Sequence, residues 1–217
     1  MAEIESILSP LLSAGFRASW VERIPSVETD VERAEAVARL MPHHIQAAVS
    51  LGGTEETFCL CEQVHSNLVT PVSQLPKGKI VPLADGLCTN NPELVLGIHV
   101  ADCGALYLAD PVKKAVAVVH SGKVGTEKNI LSEAITVMEN EYGTNPADLI
   151  ITLAPCIRPP AYEVDFAQTI KEQALVAGVL HENYFDCGIC TTSDLDKYYS
   201  YRAEQGKTGR MLALIAI

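Results

Sequence analysis

The chain has 217 residues, 48% of them hydrophobic and 20% charged, a balance typical of one globular domain and not of a disordered chain. Its formal net charge of −11 argues against a nucleic-acid backbone or an anionic membrane surface as a partner, although it allows a local cationic pocket for a small anion. No apolar run approaches the roughly 18 residues of a membrane span, and the acidic start of the chain is unlike a secretory signal. The seven cysteines, an odd number, then indicate a reducing cytoplasm.

The first third of the chain predicts one helix and one strand. Residues 28–41 place apolar side chains at helical spacing behind acidic residues, which predicts an amphipathic helix. Pro42 is expected to end this helix and to leave His44 in an exposed loop. Residues 57–65 predict a strand that ends at His65.

Strands and helices then alternate to the end of the chain. Apolar runs on both sides of Cys103 predict two short strands, and the next apolar run predicts a strand that ends at His120. Residues 121–126 predict a glycine-bracketed loop, followed by a helix that Thr126 caps and Gly143 ends. The remaining predicted elements are a strand in residues 148–157, a helix near 166–177 and a final strand in residues 209–217. This interleaving predicts one domain of the α/β or α+β class.

Three potential metal ligands lie at predicted strand ends, namely His65, Cys103 and His120. Their separations are too long for a zinc-finger knuckle and favour convergence from different strands. One thiolate and two imidazoles suit Zn²⁺ and leave a fourth position for water or substrate, and copper accepts the same donors. Two other interpretations stay open. Cys103 is either a core residue beside hydrogen-bonded histidines or the nucleophile of a Cys103–His120 pair.

The segment after His120 predicts an anion site. Gly122 and Gly125 flank Lys123 in the sequence SGKVGT, directly before a predicted helix. Backbone N–H groups at a helix N-terminus attract anions, and a nearby ammonium strengthens this attraction. Lys123, Gly125 and Thr126 are therefore candidates to hold a phosphate or a carboxylate, whereas a simple tight turn is the alternative.

Other chemistry-bearing residues carry weaker signals. Cys187 and Cys190 form a single C-x-x-C, a spacing typical of a redox pair or half of a zinc site, but no second C-x-x-C accompanies them. His99 lies within a predicted strand and His181 in a polar loop, and no function is assigned to either residue.

Six ordered motifs carry a resemblance to a known family. From about residue 57 to the C-terminus the chain resembles the laccase-domain or multicopper polyphenol oxidase family, through QVHSNLV, ADGLCT, VADCGALYLADP, AVVHSGKVGT, APCIRPPAYEVD and YYSYRAEQGKTGRMLALI. The resemblance implies one domain over 1–217 with a short atypical segment at 1–56. The implied fold has mixed sheets sandwiched between helices, in a four-layer, cysteine-hydrolase-like architecture. The implied metal ligands are again His65, Cys103 and His120.

The resemblance also implies an activity. Members of the family are regarded as zinc-dependent purine nucleoside phosphorylases, which convert adenosine, inosine or methylthioadenosine and phosphate into a free base and ribose 1-phosphate, with adenosine deamination as a second activity. Copper-dependent polyphenol oxidation and peptidoglycan editing are alternatives within the family. One cysteine and two histidines make a single metal site, which fits a metal-activated nucleophile better than oxidation by several coppers. The expected partners are a nucleoside and phosphate, without nucleic acid or membrane, in a monomer or small homo-oligomer.

The sequence departs from the family pattern where phosphate is expected. Ser121–Thr126 reads Ser-Gly-Lys-Val-Gly-Thr where the family usually has Ala-Gly-Trp-Arg-Gly-Thr, and Ala203 replaces a common second arginine. Lys123, Arg202 and Arg210 are then the cations left to bind phosphate.

The resulting assignment makes Cys103 and His120 catalytic, with Asp85 or Asp102 orienting a ligand or a proton. Its rivals are an amide-cleaving editing enzyme that uses Cys103 as a nucleophile and a metal-binding protein with weak or no catalysis.

Overall fold

The computed structural model describes residues 2–74 and 79–217. The strands of this part are β1 (Arg17–Val21), β2 (Phe58–Cys61), β3 (Val69–Pro71), β4 (Ile80–Val81), β5 (Gly86–Thr89), β6 (Val95–Val100), β7 (Gly104–Asp110), β8 (Ala115–Ser121), β9 (Ile150–Leu153), β10 (Tyr184–Asp186) and β11 (Met211–Ala216). The α-helices are α1 (Ala2–Ser13), α2 (Arg33–Ser50), α3 (Lys123–Glu127), α4 (Ile130–Tyr142) and α5 (Phe166–Val176).

The strands form two mixed sheets that pack face to face. Among the described residues, one sheet has the order β1-β11-β6-β2-β4 and the other the order β10-β9-β7-β8-β5-β3. Alternate residues of the central strands fill the space between the sheets, as Tyr107 of β7 and Ile98 of β6 do. The intervening residues, such as Leu106 and Leu108, pack instead against α4 and α5. Central strands therefore read as continuous apolar runs, because both of their faces are buried.

Helix α2 covers the outer face of the β1-β11-β6-β2-β4 sheet, where Ala48 packs with Phe58, Leu60 and Leu214. The layers are thus helix, sheet, sheet and helices. This arrangement confirms the predicted class, a single α/β domain with mixed sheets sandwiched between helices. Within the described residues, none of the helices has the length and apolar character needed to cross a bilayer.

The predicted bounds of α2 are wrong at both ends. The helix begins at Arg33 and runs through Pro42 to Ser50. Buried positions recur every four residues from Ala36 to Ala48, so the apolar face continues past the proline and outweighs the hydrogen bond that the proline lacks. His44 is accordingly buried in this helix and not exposed in a loop.

Three local predictions near the site are also wrong. Strand β2 ends at Cys61, so His65 lies in the loop beyond it, in a left-handed conformation with φ of 60°. Residues 123–127 form the short helix α3 and not a loop, and Thr126 is buried inside it. Asn129, not Thr126, caps α4, whereas Gly143 ends that helix with φ of 68° as predicted.

Candidate metal centre

The three predicted ligands converge in the structure. His65 lies in the loop after β2, Cys103 in the turn between β6 and β7, and His120 near the end of β8. One ligand atom of each lies within 4.8 Å of the other two. In residues 2–74 and 79–217 this is the one group of three or more His, Cys, Asp or Glu donors close enough to share an ion. We call these three residues the triad.

Strand pairing and one glycine bring Cys103 next to His120. Cys103 directly precedes β7, whose residue Ala105 pairs with His120 of the antiparallel β8. A Cβ atom on Gly122 would overlap the Sγ atom of Cys103. Glycine at this position therefore makes the approach of the thiol possible, although its φ of −96° is open to other residues.

Asp85 holds both histidine segments of the triad. Its buried carboxylate accepts hydrogen bonds from the backbone N–H groups of Val64 at 3.1 Å, His65 at 3.0 Å and Ser66 at 2.7 Å. The same carboxylate lies 2.8 Å from Nδ1 of His120. With Nδ1 as the donor to this carboxylate, Nε2 of His120 is left to act as a ligand. The structure thus supports Asp85 as the residue that orients a ligand.

Gln63 fixes the same loop to the neighbouring strand, a role that the sequence did not reveal. Its side-chain amide donates to the carbonyl of His99 at 2.6 Å and accepts from the N–H of His99 at 2.9 Å. Both Gln63 and His65 have positive φ, at 61° and 60°, which is uncommon for residues other than glycine. The hydrogen bonds of Gln63 and Asp85 hold this conformation, which brings His65 close to Cys103 and His120.

The triad and Asp85 form an electrostatically coupled group. Burial opposes ionisation of the Cys103 thiol, but the charge of His120 and hydrogen bonds from His120 and His65 lower its pKa to about 6. Burial likewise opposes the charge of His120, but Cys103 and Asp85 raise its pKa to about 9. Hydrogen bonds from His120 and Ser66 outweigh the burial of Asp85 and lower its pKa to about 2. Without an ion, these opposite pKa shifts favour a thiolate at Cys103 beside an imidazolium at His120.

The donor set fits a borderline-soft divalent ion. Zinc binds thiolate and imidazole at about 2.0–2.3 Å, which places its ligand atoms roughly 3–4 Å apart. The mutual separations within 4.8 Å are compatible with this range after a small adjustment. Copper accepts the same donors, so the donor set alone does not choose between the two metals.

Asp102 serves the scaffold and does not orient a triad side chain. Its carboxylate accepts from the hydroxyl of Thr191 at 2.6 Å and from the backbone N–H of Arg202 at 2.7 Å. Its own φ is 81°, which makes the tight turn into Cys103. Asp102 thus ties this turn to two segments near the C-terminus.

A cavity of about 720 Å³ opens over the triad, within the usual size range of small-molecule sites. Aromatic side chains of Tyr162, Phe166 and Tyr201 form part of its lining. Five cations also line it, and we call them the cationic wall: Arg33, Lys123, Arg202, Lys207 and Arg210.

Some of the predicted anion-binding residues line the cavity and others do not. Lys123, Arg202 and Arg210 lie on the cationic wall, as a phosphate-binding role requires. Gly125 and Thr126 are buried in α3 and are not among the residues that line the cavity. The hydroxyl of Thr126 is 2.9 Å from that of Ser121, so it stabilises the start of α3 instead. The prediction that these two residues contact phosphate is not supported by their position.

A buried histidine pair lies beside the cavity and was missed in the sequence. Nδ1 of His44 and Nε2 of His99 are 3.0 Å apart, and His99 lines the cavity. Burial and the charge of His43 lower the pKa of His44 to about 4. Burial and the charge of His44 lower that of His99. Fifty-five positions separate the two residues, and no local pattern reveals such a contact.

The C-x-x-C residues take no part in the triad. Cys190 Sγ accepts from the backbone N–H of Arg158 at 3.3 Å and lies 3.1 Å from the hydroxyl of Thr192. Cys187 and Cys190 are both free thiols.

Sequence comparison identifies the family of this chain. The family model described as "Multi-copper polyphenol oxidoreductase laccase" matches residues 26–172 and 164–217. The chain belongs to this family.

Named relatives of this laccase-family chain include bacterial and human proteins. "Purine nucleoside phosphorylase YlmD" of Bacillus subtilis is 30% identical over 198 residues, which cover 75% of this chain and 71% of that protein. "Purine nucleoside phosphorylase LACC1" of Homo sapiens is 24% identical over 163 residues, which cover 61% of this chain and 38% of that protein.

Solved structures share the fold of this family member. The crystal structure of YlmD from Geobacillus stearothermophilus aligns with a TM-score of 0.77 at 23% identity, covering 93% of this chain and 89% of that one. The Bacillus licheniformis protein YfiH aligns with a TM-score of 0.76 at 21% identity, covering 83% and 81%. At these identities the likeness concerns the fold.

Proposed function

We propose that the chain is a zinc-dependent purine nucleoside phosphorylase. The observation that carries the proposal is the convergence of His65, Cys103 and His120 at a cavity whose wall is cationic. Several relatives bear the name purine nucleoside phosphorylase, which supports the same reaction class. The substrates are adenosine, inosine or methylthioadenosine together with phosphate, and deamination of adenosine is a second activity.

The reaction replaces the bond between the base nitrogen and the sugar carbon C1′ with a bond from C1′ to a phosphate oxygen. A bound zinc ion would supply Lewis acidity at the triad. Part of the cationic wall holds the phosphate and reduces its charge, and the aromatic side chains of Tyr162, Phe166 and Tyr201 offer apolar surface to a purine. Asp85 keeps His120 oriented throughout, because its carboxylate remains bonded to Nδ1.

The charge contrast within the molecule supports an anionic co-substrate. The whole chain carries a formal net charge of −11, yet the cavity lining has five Lys or Arg side chains against the carboxylates of Glu32 and Asp102. Asp102 is already bonded to Thr191 and Arg202. The cavity therefore attracts phosphate even though the protein surface as a whole does not.

The test is a product assay on the purified full chain. Inosine, adenosine and methylthioadenosine are each incubated with phosphate, with zinc or copper added separately, and free base and ribose 1-phosphate are measured. We expect base release that requires phosphate and is lost in Cys103→Ser, with zinc the more effective metal. Absence of base release with every nucleoside and metal would overturn the proposal. Bound zinc without such turnover would identify a metal-binding protein with little catalysis.

A second candidate follows from the chain of contacts Asp85, His120 and Cys103. A thiol with its pKa lowered to about 6, beside a histidine that a carboxylate orients, is also the arrangement of a cysteine nucleophile. An amide-cleaving enzyme would use it without metal. Thiol alkylation before and after chelation separates the two candidates, because a metal-bound Cys103 is protected until the metal is removed.

Polyphenol oxidation has less support in the structure. Oxidation by several coppers needs several metal sites, and the described part of the chain brings together one such group. Release of base without oxidation of a phenol by the copper-loaded protein is the expected result.

A further inference from the structure

The cations of the cavity differ in whether a carboxylate compensates them. Arg202 forms an ion pair with Glu163 at 3.1 Å and stacks over the ring of Tyr162 at 4.8 Å. A hydrogen bond from its own backbone N–H lowers the pKa of Glu163, and so do the charges of Arg202 and Lys123, although burial acts in the opposite direction. The Glu163 carboxylate therefore already compensates part of the positive charge of Lys123 and Arg202.

Arg210 also lines the cavity but forms no ion pair with any of the described residues. It is 8% exposed and lines the cavity directly before β11. Its Nη1 donates to the carbonyls of Thr208 at 2.9 Å and Gly209 at 2.7 Å. Among the described residues, neither Nε nor Nη2 makes a hydrogen bond, and no carboxylate lies within ion-pair distance. Its two other nitrogens are therefore available to donate to an anionic ligand in the cavity.

Arg33 stands beside Arg210 and increases the positive charge there. Burial and the repulsion from Arg33 lower the pKa of Arg210, although Cys103 and Asp102 act against this effect. Arg33 donates to the backbone carbonyls of Glu62 at 3.2 Å and Gln63 at 3.5 Å. It makes no ion pair within the part of the chain that the structure describes. Arg33 and Arg210 thus place two positive charges at the same cavity, and a bound anion would interact favourably with both.

Helix α2 adds a partial positive charge at the same place. Arg33 is the first residue of this 18-residue helix, and its N-cap Glu32 offers no side-chain cap to the first turn. Glu32 and Arg33 both line the cavity, so the N-terminus of α2 and the positive end of its dipole lie at the cavity wall. The helix terminus supports the arginine pair and does not make the site alone.

We propose that the phosphate co-substrate binds at Arg33 and Arg210, under the N-terminus of α2, and not on Lys123 and Arg202. The inference rests on the proposed phosphorolysis in that phosphate is the anion it requires. Arg33 was not a candidate in the sequence, since it lies within the amphipathic helix predicted for residues 28–41. Planar guanidinium groups suit phosphate because each can donate two parallel hydrogen bonds to it.

The test measures binding of inorganic phosphate to the full chain by calorimetry, without any nucleoside. Arg33→Gln and Arg210→Lys probe the proposed site. Lys123→Gln and Arg202→Gln probe the two cations that interact with Glu163. Arg39→Gln is the matched control, because Arg39 lies on the same helix, pairs with Glu35 and Glu28, and does not line the cavity. Thermal unfolding establishes that each variant is folded.

We expect Arg33→Gln to weaken phosphate binding at least about tenfold, as the loss of a charge-assisted hydrogen bond does. Arg210→Lys keeps the charge but loses the paired donors and is expected to weaken it as well. Lys123→Gln, Arg202→Gln and Arg39→Gln should change it by no more than about threefold. Because Arg33 is exposed, its variant remains informative if Arg210→Lys does not fold.

Failure of this inference is distinct from failure of the proposed function. If Lys123→Gln or Arg202→Gln abolishes phosphate binding while Arg33→Gln does not, or if the wild-type chain binds no phosphate, the arginine site is overturned. If phosphate binds through Arg33 and Arg210 but no nucleoside is cleaved, the anion site stands and phosphorolysis is rejected. If nucleosides are cleaved with an unchanged KM for phosphate in both arginine variants, phosphorolysis stands and the arginine site is rejected.

Discussion

The triad and the cationic wall share one cavity but are held in different ways. His120 is 5% exposed, and the Asp85 carboxylate beneath it is fully buried, with hydrogen bonds to two separate chain segments. On the wall, Lys123 and Arg202 belong to a surface helix and an exposed turn, and the Arg202 side chain is 52% exposed. The core therefore fixes the position of His120, whereas Arg202 is held by one exposed ion pair and one stacking contact. Substitutions should affect the two regions very differently.

The largest effect is expected from Asp85→Asn. The variant loses the charge that orients His120 and turns an acceptor for three N–H groups into a partial donor, which should cost about 3–5 kcal/mol of unfolding free energy. Zinc affinity should fall about 10–100-fold. Competition with a chelator and denaturant unfolding measure the two effects.

Asp102→Asn is the matched control for that variant. Asp102 is also buried and bonded to two partners, but neither is a triad side chain. It should lose stability while zinc affinity changes by less than about threefold. Equal losses of zinc affinity in both variants would show that burial of a carboxylate, and not its contact with His120, decides the result.

Gly122→Ala should damage the triad without a comparable loss of stability. The added methyl group would overlap Cys103 Sγ, so the thiol must shift away from His120. A displacement of this kind costs about 10²-fold in turnover, measured as base release. Gly125→Ala is the control, because a methyl group there meets its nearest neighbours at 3.4 Å. A fully active Gly122→Ala would contradict the close packing of Cys103.

A smaller effect concerns the histidine pair beside the cavity. Because burial lowers the pKa of His44 from 6.5 to about 4, the unfolded chain takes up this proton first. Its contribution is complete above about pH 6.5 and is lost as the pH falls towards 4, and His99 acts in the same direction. Between about pH 7 and pH 5 the unfolding free energy should fall by about 2 kcal/mol from His44.

Urea denaturation of the wild type and of His44→Gln at both pH values measures this loss. The variant should be less stable near neutrality but should show a weaker pH dependence. The difference between the two proteins removes the contribution of the carboxylates that they share. Parallel pH profiles would show that His44 titrates normally in the folded state.

The smallest effect is expected on the wall. Arg202→Ala removes an ion pair whose side chains are 52% and 59% exposed, so the unfolding free energy should change by no more than about 0.5 kcal/mol. Zinc content should not change, because Arg202 does not contact the triad. A large loss in thermal unfolding would mean that the wall is as firmly built as the triad.

The sequence was sufficient to predict the triad and the strands β2, β6, β7, β8, β9 and β11, but it did not reveal α1, β1, β3, β4, β5 or β10. Cysteine and histidine are the residue types that most often bind zinc. The apolar runs around Cys103 and before His120 are long enough to indicate central strands with both faces buried. Helix α4 was also predictable as far as Gly143, because a glycine with positive φ is a common helix end.

The remaining features depend on contacts between distant segments. Pro42 does not end α2, because packing of Ala48 against the sheet stabilises the turns after the proline. No pattern in the neighbouring sequence indicates this packing. Gln63 and His65 take left-handed conformations that their residue types do not favour. Arginine is common on helix surfaces, so Arg33 is informative only when Arg210 is seen beside it.

The hydrogen bonds of Asp85 also affect when metal binding can occur. They join the 64–66 loop to His120 without the participation of an ion. The conformational entropy of ordering the His65 backbone and the His120 imidazole is therefore lost as the chain folds, and less of it remains to be lost on metal uptake. In zinc fingers, by contrast, the ion and the fold form together. We therefore expect the chain to stay folded when a bound metal is removed or exchanged.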